Sequence, residues 1–208
     1  MCFFTKQTQE AQTLSKRFKA QFDADVHYKP AHYNGFEHPQ MAIVSAQNPN
    51  SFSLSAWGLL PSWTTDMSFR KNTLNARLET LNEKPSYKSI LQQRCLVPAD
   101  GFYEWQWQDG KGKNKLKFLV QLRNAELYAY AGLWNLWRHP HDGSTLHTFS
   151  IITTEANALM AEIHNTKKRM PVIIHRDNEM DWLQNGEIRL WNDSLVALPC
   201  EPVQGSLW

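Results

Sequence analysis

Across residues 10–22 the apolar side chains Ala11, Leu14, Phe18 and Phe22 recur three or four positions apart, while Lys16, Arg17 and Lys19 fall elsewhere. That spacing predicts an amphipathic helix with one face on a core. Residues 26–39, rich in His, Tyr, Asn, Gly and Pro, carry no period and read as loop. From Met41 the pattern becomes that of strands. Residues 41–45 and 52–60 are short and apolar, and the turn-forming Gln47-Asn48-Pro49-Asn50 between them predicts a hairpin. A short helix is expected over 87–93. Strands are expected over 94–97, 116–122, 127–137 and 148–153, and another after the Asp100-Gly101 turn. Thr153-Thr154 is expected to end its strand and cap a helix carrying Leu159, Met160 and Ile163. A short strand over 172–174, a helix over 179–184 with Gly186 at its C-cap, and a strand over 187–191 complete the pattern.

Composition narrows the classes. The 208 residues suffice for one domain with a sizeable core, and no linker, repeat or low-complexity tract divides them. No apolar run reaches membrane-span length and residues 1–10 lack a signal-peptide pattern, so the expectation is a cytoplasmic protein. Cys2, Cys95 and Cys200 are odd in number and not at metal-ligand spacing, and His27, His32, His38 and His175 are equally scattered. Neither a disulfide framework, a metal site nor a cofactor motif is expected. A net charge of +2 does not by itself mark a nucleic-acid binder, although the four lysines of 109–117 concentrate positive charge in one turn. Nine tryptophans exceed what a core of this size needs.

Four stretches can carry chemistry. If Met1 is removed, Cys2 presents an α-amine and a thiol on adjacent carbons. The amine, with a pKa of roughly 8, is partly unprotonated near neutrality and condenses with an aldehyde; the thiol can then close a five-membered thiazolidine. The plainer account is that Cys2 merely follows the start codon. Asn75, Arg77 and Glu79 would share one face of an extended segment, or Arg77 and Glu79 would form an ordinary surface pair. Glu104 lies among Phe102, Tyr103, Trp105 and Trp107, where desolvation would raise its pKa toward acid/base use, unless it faces water on an edge strand. His164 falls at the end of the helix after Thr154, where the dipole should favour the imidazolium. Pro61-Ser62-Trp63 is either a rigid corner or an apolar wedge for a nucleic-acid step.

Taken in order, Cys2, Asn75-Ala76-Arg77 with Glu79, the run from Pro98-Ala99-Asp100-Gly101 through Phe102-Tyr103-Glu104-Trp105, and His164 with Arg169-Met170-Pro171 resemble the SRAP (SOS response-associated peptidase) family. Tyr33-Asn34 and Trp57-Gly58 through Trp63 extend the resemblance over most of the chain. It implies an α+β fold, a single domain over 1–208 with a barrel-like, mainly antiparallel β core and flanking helices. It also implies a monomer that holds single-stranded DNA, or a single/double-strand junction, and covalently captures the ring-opened aldehyde of an abasic site. No cofactor, metal or membrane is implied, and the protein would associate with the nucleoid when acting.

By position, Cys2 would be the nucleophile, Asn75 would hold the N-terminal residue or the sugar, Glu104 would be the acid/base and His164 would contact the opened deoxyribose. Arg77 and Arg169 would hold phosphates, Trp63 would lie against unpaired bases, and Thr153 would join the DNA contacts. Lyase activity is a competing outcome, because an imine at C1′ acidifies the C2′ protons. A thiol peptidase built on Cys2, and a DNA-binding module without chemistry, are the rival readings. One departure stands out: where the family continues Cys-Gly-Arg, this chain has Phe3-Phe4.

Overall fold

The computed structural model describes residues 2–191 and 194–200. The chain enters through β1 (Phe4–Gln7), forms α1 (Ala11–Phe18), and passes through the short strands β2 (Gln21–Phe22) and β3 (Ala31–Asn34). A hairpin of β4 (Gln40–Ser45) and β5 (Asn48–Trp57) follows, then β6 (Asn75–Arg77) and β7 (Arg94–Ala99). Four further strands succeed these: β8 (Gly101–Trp107), β9 (Lys115–Leu122), β10 (Tyr128–Arg138) and β11 (Thr145–Glu155). The last part holds α2 (Ala158–Ile163), β12 (Arg169–Pro171), β13 (Ile173–Ile174), α3 (Glu179–Asn185) and β14 (Leu195–Pro199).

Strands β11, β10, β7, β4 and β5 are successive antiparallel neighbours, and β5 returns to pair with β11 in parallel through Ala56 and Trp57 opposite Thr148 and Phe149. The pairing closes five strands into a barrel, which removes the edges an open sheet would leave. A second sheet runs β14-β9-β8-β1-β3. Its apolar face shares one core with the barrel: Phe102, Phe118 and Val120 pack in the same cluster as Val97, Tyr130, Phe149 and Ile151. The fold is α+β with a barrel-like, mainly antiparallel core, as the resemblance implies.

The corner between the two sheets positions the site. Asp100 separates β7 in the barrel from β8 in the second sheet. Its carboxylate accepts from Thr8 N at 2.9 Å and pairs with Lys6 Nζ at 3.4 Å, so the corner is fastened to β1. β1 thereby becomes an interior strand, with Phe4 opposite Tyr103 and Thr5 opposite Phe102, and the chain start runs alongside Glu104.

Several elements differ from the pattern. The helix expected over 10–22 stops at Phe18, because Lys19 takes a left-handed φ of 54° and turns the chain into β2. Phe22 is then free to stack on Phe52, with centroids 4.3 Å apart. The expected loop over 26–39 contains β3, whose hydrogen bonds come from a partner remote in sequence, β1, which local periodicity cannot reveal. Residues 87–93 form successive turns rather than a helix, and the strand expected over 187–191 reduces to one bridge, Leu190 with Ile174. Thr153 and Thr154 do not cap α2. β11 continues to Glu155, and Asn157 is the cap, its Oδ1 accepting from Met160 N at 2.9 Å. Among the described residues no helix is long and apolar enough to cross a membrane.

Candidate active site

Cys2 is fully buried in the core cluster that joins the two sheets. Asn75, presented by β6, donates from Nδ2 to the Cys2 carbonyl at 3.0 Å and so pins the chain start. The third strand of this arrangement is β8. Phe102 and Glu104 share its buried face, and Glu104 is 7% exposed. Burial, the dominant cause, pushes its carboxyl up to about 7, so acid and carboxylate are both populated near neutral pH. The same burial, reinforced by the nearby Glu104 charge, pushes the Cys2 thiol up to about 12. Cys2 is therefore a neutral thiol near neutral pH rather than a resting thiolate.

His164 closes the opposite side. α2 ends there, and the following turn is tied to β8: Asn165 Nδ2 donates to Trp107 O at 2.9 Å and Asn165 Oδ1 accepts from Trp107 N at 3.1 Å. Nδ1 of the imidazole lies 3.0 Å from Arg169 O and 3.2 Å from Arg169 N. The expected upward shift from the helix dipole is absent. Burial dominates and lowers His164 to about 4, because α2 is only 6 residues long and its last turn faces protein. His164 is thus neutral at physiological pH and suited to hydrogen bonding rather than ion pairing.

Glu104 and His164 line one cavity of about 400 Å³ together with Phe3, Phe4, Trp105, Trp107, Lys115 and Lys167. The Phe3-Phe4 departure is accommodated here. Phe4 meets Trp105 edge-on at 4.8 Å and Phe3 packs on Phe36 at 4.7 Å, giving an apolar wall where the family's usual pair would give a small residue and a cation. Positive charge comes instead from Lys115 and Lys167 at the cavity. Lys117 lies nearby over the Tyr103 ring, 4.1 Å from its centroid.

Arg169 and Thr153 have other work. Arg169 is 8% exposed and its guanidinium forks onto Glu79, Nη1 to Oε1 at 2.9 Å and Nη2 to Oε2 at 2.8 Å, with Nη2 also donating to Thr153 O. Thr153 is fully buried, with its hydroxyl donating to Ala76 O, and offers a phosphate no surface. Glu79 therefore pairs with Arg169 rather than Arg77, because the chain turns into a 3-10 helix at Leu78 and takes Glu79 off the face of Asn75 and Arg77. The Arg169 fork holds Glu79 down to about 2. Since it fixes the backbone that holds His164 Nδ1, Glu79→Ala should leave the buried guanidinium short of a partner. We expect a loss of about 1–3 kcal/mol in a urea melt, discounted for the half-exposed carboxylate.

Arg77 is exposed at the end of β6. Trp63 is 56% exposed, edge-on to Phe69 at 5.0 Å, and available for stacking. Phe3-Phe4 and the lysine-rich turn that holds Lys115 stand out in the sequence without an assigned place at the site; Lys167, three residues after His164, carries no local signal of its role at the cavity. Among the described residues no group of three or more His, Cys, Asp or Glu side chains is placed to hold a metal ion.

A closed five-stranded barrel carries a second sheet, and where they share a core Cys2 is buried beside Glu104, an acid of raised pKa whose cavity the neutral His164 also lines. The model of the SOS response associated peptidase (SRAP) family matches residues 1–206, and the chain belongs to that family. It is 39% identical over 164 residues to the abasic site processing protein YoqW of Bacillus subtilis (strain 168), covering 78% of this chain and 70% of that one. It is 34% identical over 154 residues to the abasic site processing protein HMCES of Xenopus tropicalis, covering 64% and 44%. Among solved structures, a Bacteroides thetaiotaomicron protein superimposes with a TM-score of 0.84 at 29% identity, over 95% of this chain and 91% of that one.

Proposed function

We propose that this protein captures abasic sites in single-stranded DNA by condensing the ring-opened sugar aldehyde with the amine and thiol of Cys2. The carrying observation is the convergence of Cys2, Glu104 and Asn75 on one point, beside a cavity that Glu104 shares with His164. Removal of Met1 frees the Cys2 amine. Imine formation needs a proton taken from nitrogen and one delivered to the departing hydroxyl, and a carboxyl near pKa 7 serves both. Asn75 fixes the amine's own residue. Neutral His164 hydrogen-bonds the opened sugar, and the apolar wall of Phe3, Phe4 and Trp105 keeps water from the imine. β-Elimination of the 3′ phosphate is a slower exit from the same imine. All these groups come from one chain, so a monomer suffices.

The peptidase reading fits less well. A cysteine peptidase needs a thiolate beside an imidazolium. Here the thiol is raised and the histidine lowered.

The deciding experiment incubates Met1-processed protein with a single-stranded oligonucleotide carrying one abasic site and runs a denaturing gel. A heat-stable shifted band is the expected result, with any strand scission minor. Tight binding with no shifted band would support a DNA-binding module instead, and cleavage of a peptide substrate would support the peptidase.

Lysines 115 and 167 at the cavity mouth are expected to meet phosphates. Replacing Lys167 by Gln should weaken binding to undamaged single strands uniformly across sequences and reduce the slope of log affinity against log salt by about 0.7. Fluorescence anisotropy over a salt series measures both.

A further inference from the structure

Beside Cys2 lies a fully buried cluster of hydroxyls that no step above uses. Tyr130 Oη is 2.9 Å from Thr5 Oγ1 and 3.1 Å from Tyr128 Oη, and Thr5 Oγ1 donates to Gly101 O at 3.1 Å. Tyr128, Tyr130 and Thr5 are each 0% exposed. Tyr130 is also within hydrogen-bonding reach of the Cys2 sulfur, where its hydroxyl favours the thiolate against the larger effect of burial.

The protons can be assigned from the inventory of donors. A threonine hydroxyl has one proton, and that of Thr5 goes to Gly101 O, so Tyr130 is the donor to Thr5. Tyr128 then donates to Tyr130. The resulting chain runs Tyr128 to Tyr130 to Thr5 to the Gly101 carbonyl. Burial holds both tyrosines well above the ordinary phenol value, so they stay protonated and each keeps a proton to donate.

A cluster of this kind can simply be a satisfied piece of core. Two features argue for more. Phenylalanine would fill the same space without burying two phenol oxygens, each a desolvation cost that only hydrogen bonding offsets. The central oxygen also lies against the one sulfur that must acquire negative charge in a water-free place. Rotation of a single O–H bond takes the Tyr130 proton from Thr5 to that sulfur, while Tyr128 continues to donate to Tyr130 and Thr5 to Gly101.

We propose that Tyr130 is a positioning residue for ring closure: its hydroxyl, held by Tyr128 and Thr5, turns to the Cys2 sulfur as that sulfur loses its proton and attacks the imine carbon. In that step the S–C1′ bond forms, the π pair of C=N moves onto nitrogen, and the proton leaving sulfur arrives on the nitrogen by way of Glu104. Nothing is oxidised or reduced, and the Tyr130 proton reorients without being consumed. The assignment rests on the reading of Cys2 proposed above and adds a division of labour: Glu104 serves both steps, Tyr130 only the second.

Single-turnover kinetics with processed protein and an abasic oligonucleotide separate the two steps. Borohydride quenching at short times traps the imine, and quenching without borohydride reports the heat-stable ring. In Tyr130→Phe, imine formation should stay within about twofold of wild type, while ring closure slows about 10-fold or more and its pH profile moves to higher pH, since a hydrogen bond to a charged group is lost. Tyr128→Phe, which removes only the outer donor, should slow closure about threefold. Ring closure at the wild-type rate and pH profile in Tyr130→Phe would overturn the assignment, as would an equal slowing of both steps. If Tyr130→Phe does not fold, Tyr128→Phe carries the test, and unaltered closure there overturns it. A wild-type protein that forms neither imine nor ring would instead remove the reading of Cys2, and the assignment with it.

Discussion

Cys2→Ala should eliminate the heat-stable crosslink to abasic DNA while leaving a weaker, reversible species that only borohydride reveals. The alanine variant, processed to the same length, keeps the α-amine and so can still form an imine. What it lacks is the sulfur whose attack turns a hydrolysable C=N bond into a ring. Intramolecular closure benefits from effective molarities on the order of 10⁵ M or more, so the loss should take the adduct from near-complete to undetectable on a gel without reductant. DNA affinity should change little, since Cys2 is buried and contributes no charge. A retained Met1 should have the same consequence by another route, because the amine beside the thiol becomes an amide.

The second large effect concerns Glu104, and it separates activity from stability. Glu104→Gln removes the only described carboxyl that lines the cavity, and capture should slow by about 10²-fold or more. Stability should move the other way, with a sign that depends on pH. Burial raises Glu104 from the ordinary carboxylate range to about 7, so its contribution to folding is complete below about pH 4.5 and is lost as pH rises through about 7. His164 runs oppositely: lowered to about 4, its contribution is present above the ordinary imidazole range and is lost as pH falls toward 4. Wild type should therefore weaken on both flanks, and Glu104→Gln should lose only the alkaline weakening. Thermal melts at pH 8 should show the variant more stable by about 2–3 kcal/mol, with near equality at pH 5. A variant less stable than wild type at pH 8 would mean that Glu104 is not desolvated as described.

Much of this was legible in the chain. The alternation after Asp100-Gly101 put Phe102 and Glu104 on one face among aromatics, and both are buried there. The alternation left open whether Glu104 faced water on an edge strand; its burial on β8 decides for the raised pKa. The misses share one cause, which is that a tertiary partner decided the outcome. β3 is a strand because β1 lies beside it, and β14 because β9 does. Glu79 pairs with Arg169, 90 positions away, rather than with Arg77 two residues off. His164 was expected to gain a proton from a helix dipole, and the packing of its short helix against β8 reversed the sign. Thr153, expected at the DNA, is buried under β6 by a parallel pairing no local pattern announces. The hydroxyl cluster beside Cys2 was invisible for the same reason, since Thr5, Tyr128 and Tyr130 meet only when the second sheet closes over the barrel.

The central claim is a single covalent location, and intact-mass spectrometry of the adduct tests it most directly. Protein expressed without an N-terminal tag and incubated with an abasic oligonucleotide should yield a species whose mass is that of the chain lacking Met1 plus the oligonucleotide, minus one water. Proteolysis should place the added mass on Cys2. An adduct of that size on a lysine, or one formed by protein that still carries Met1, would contradict the account.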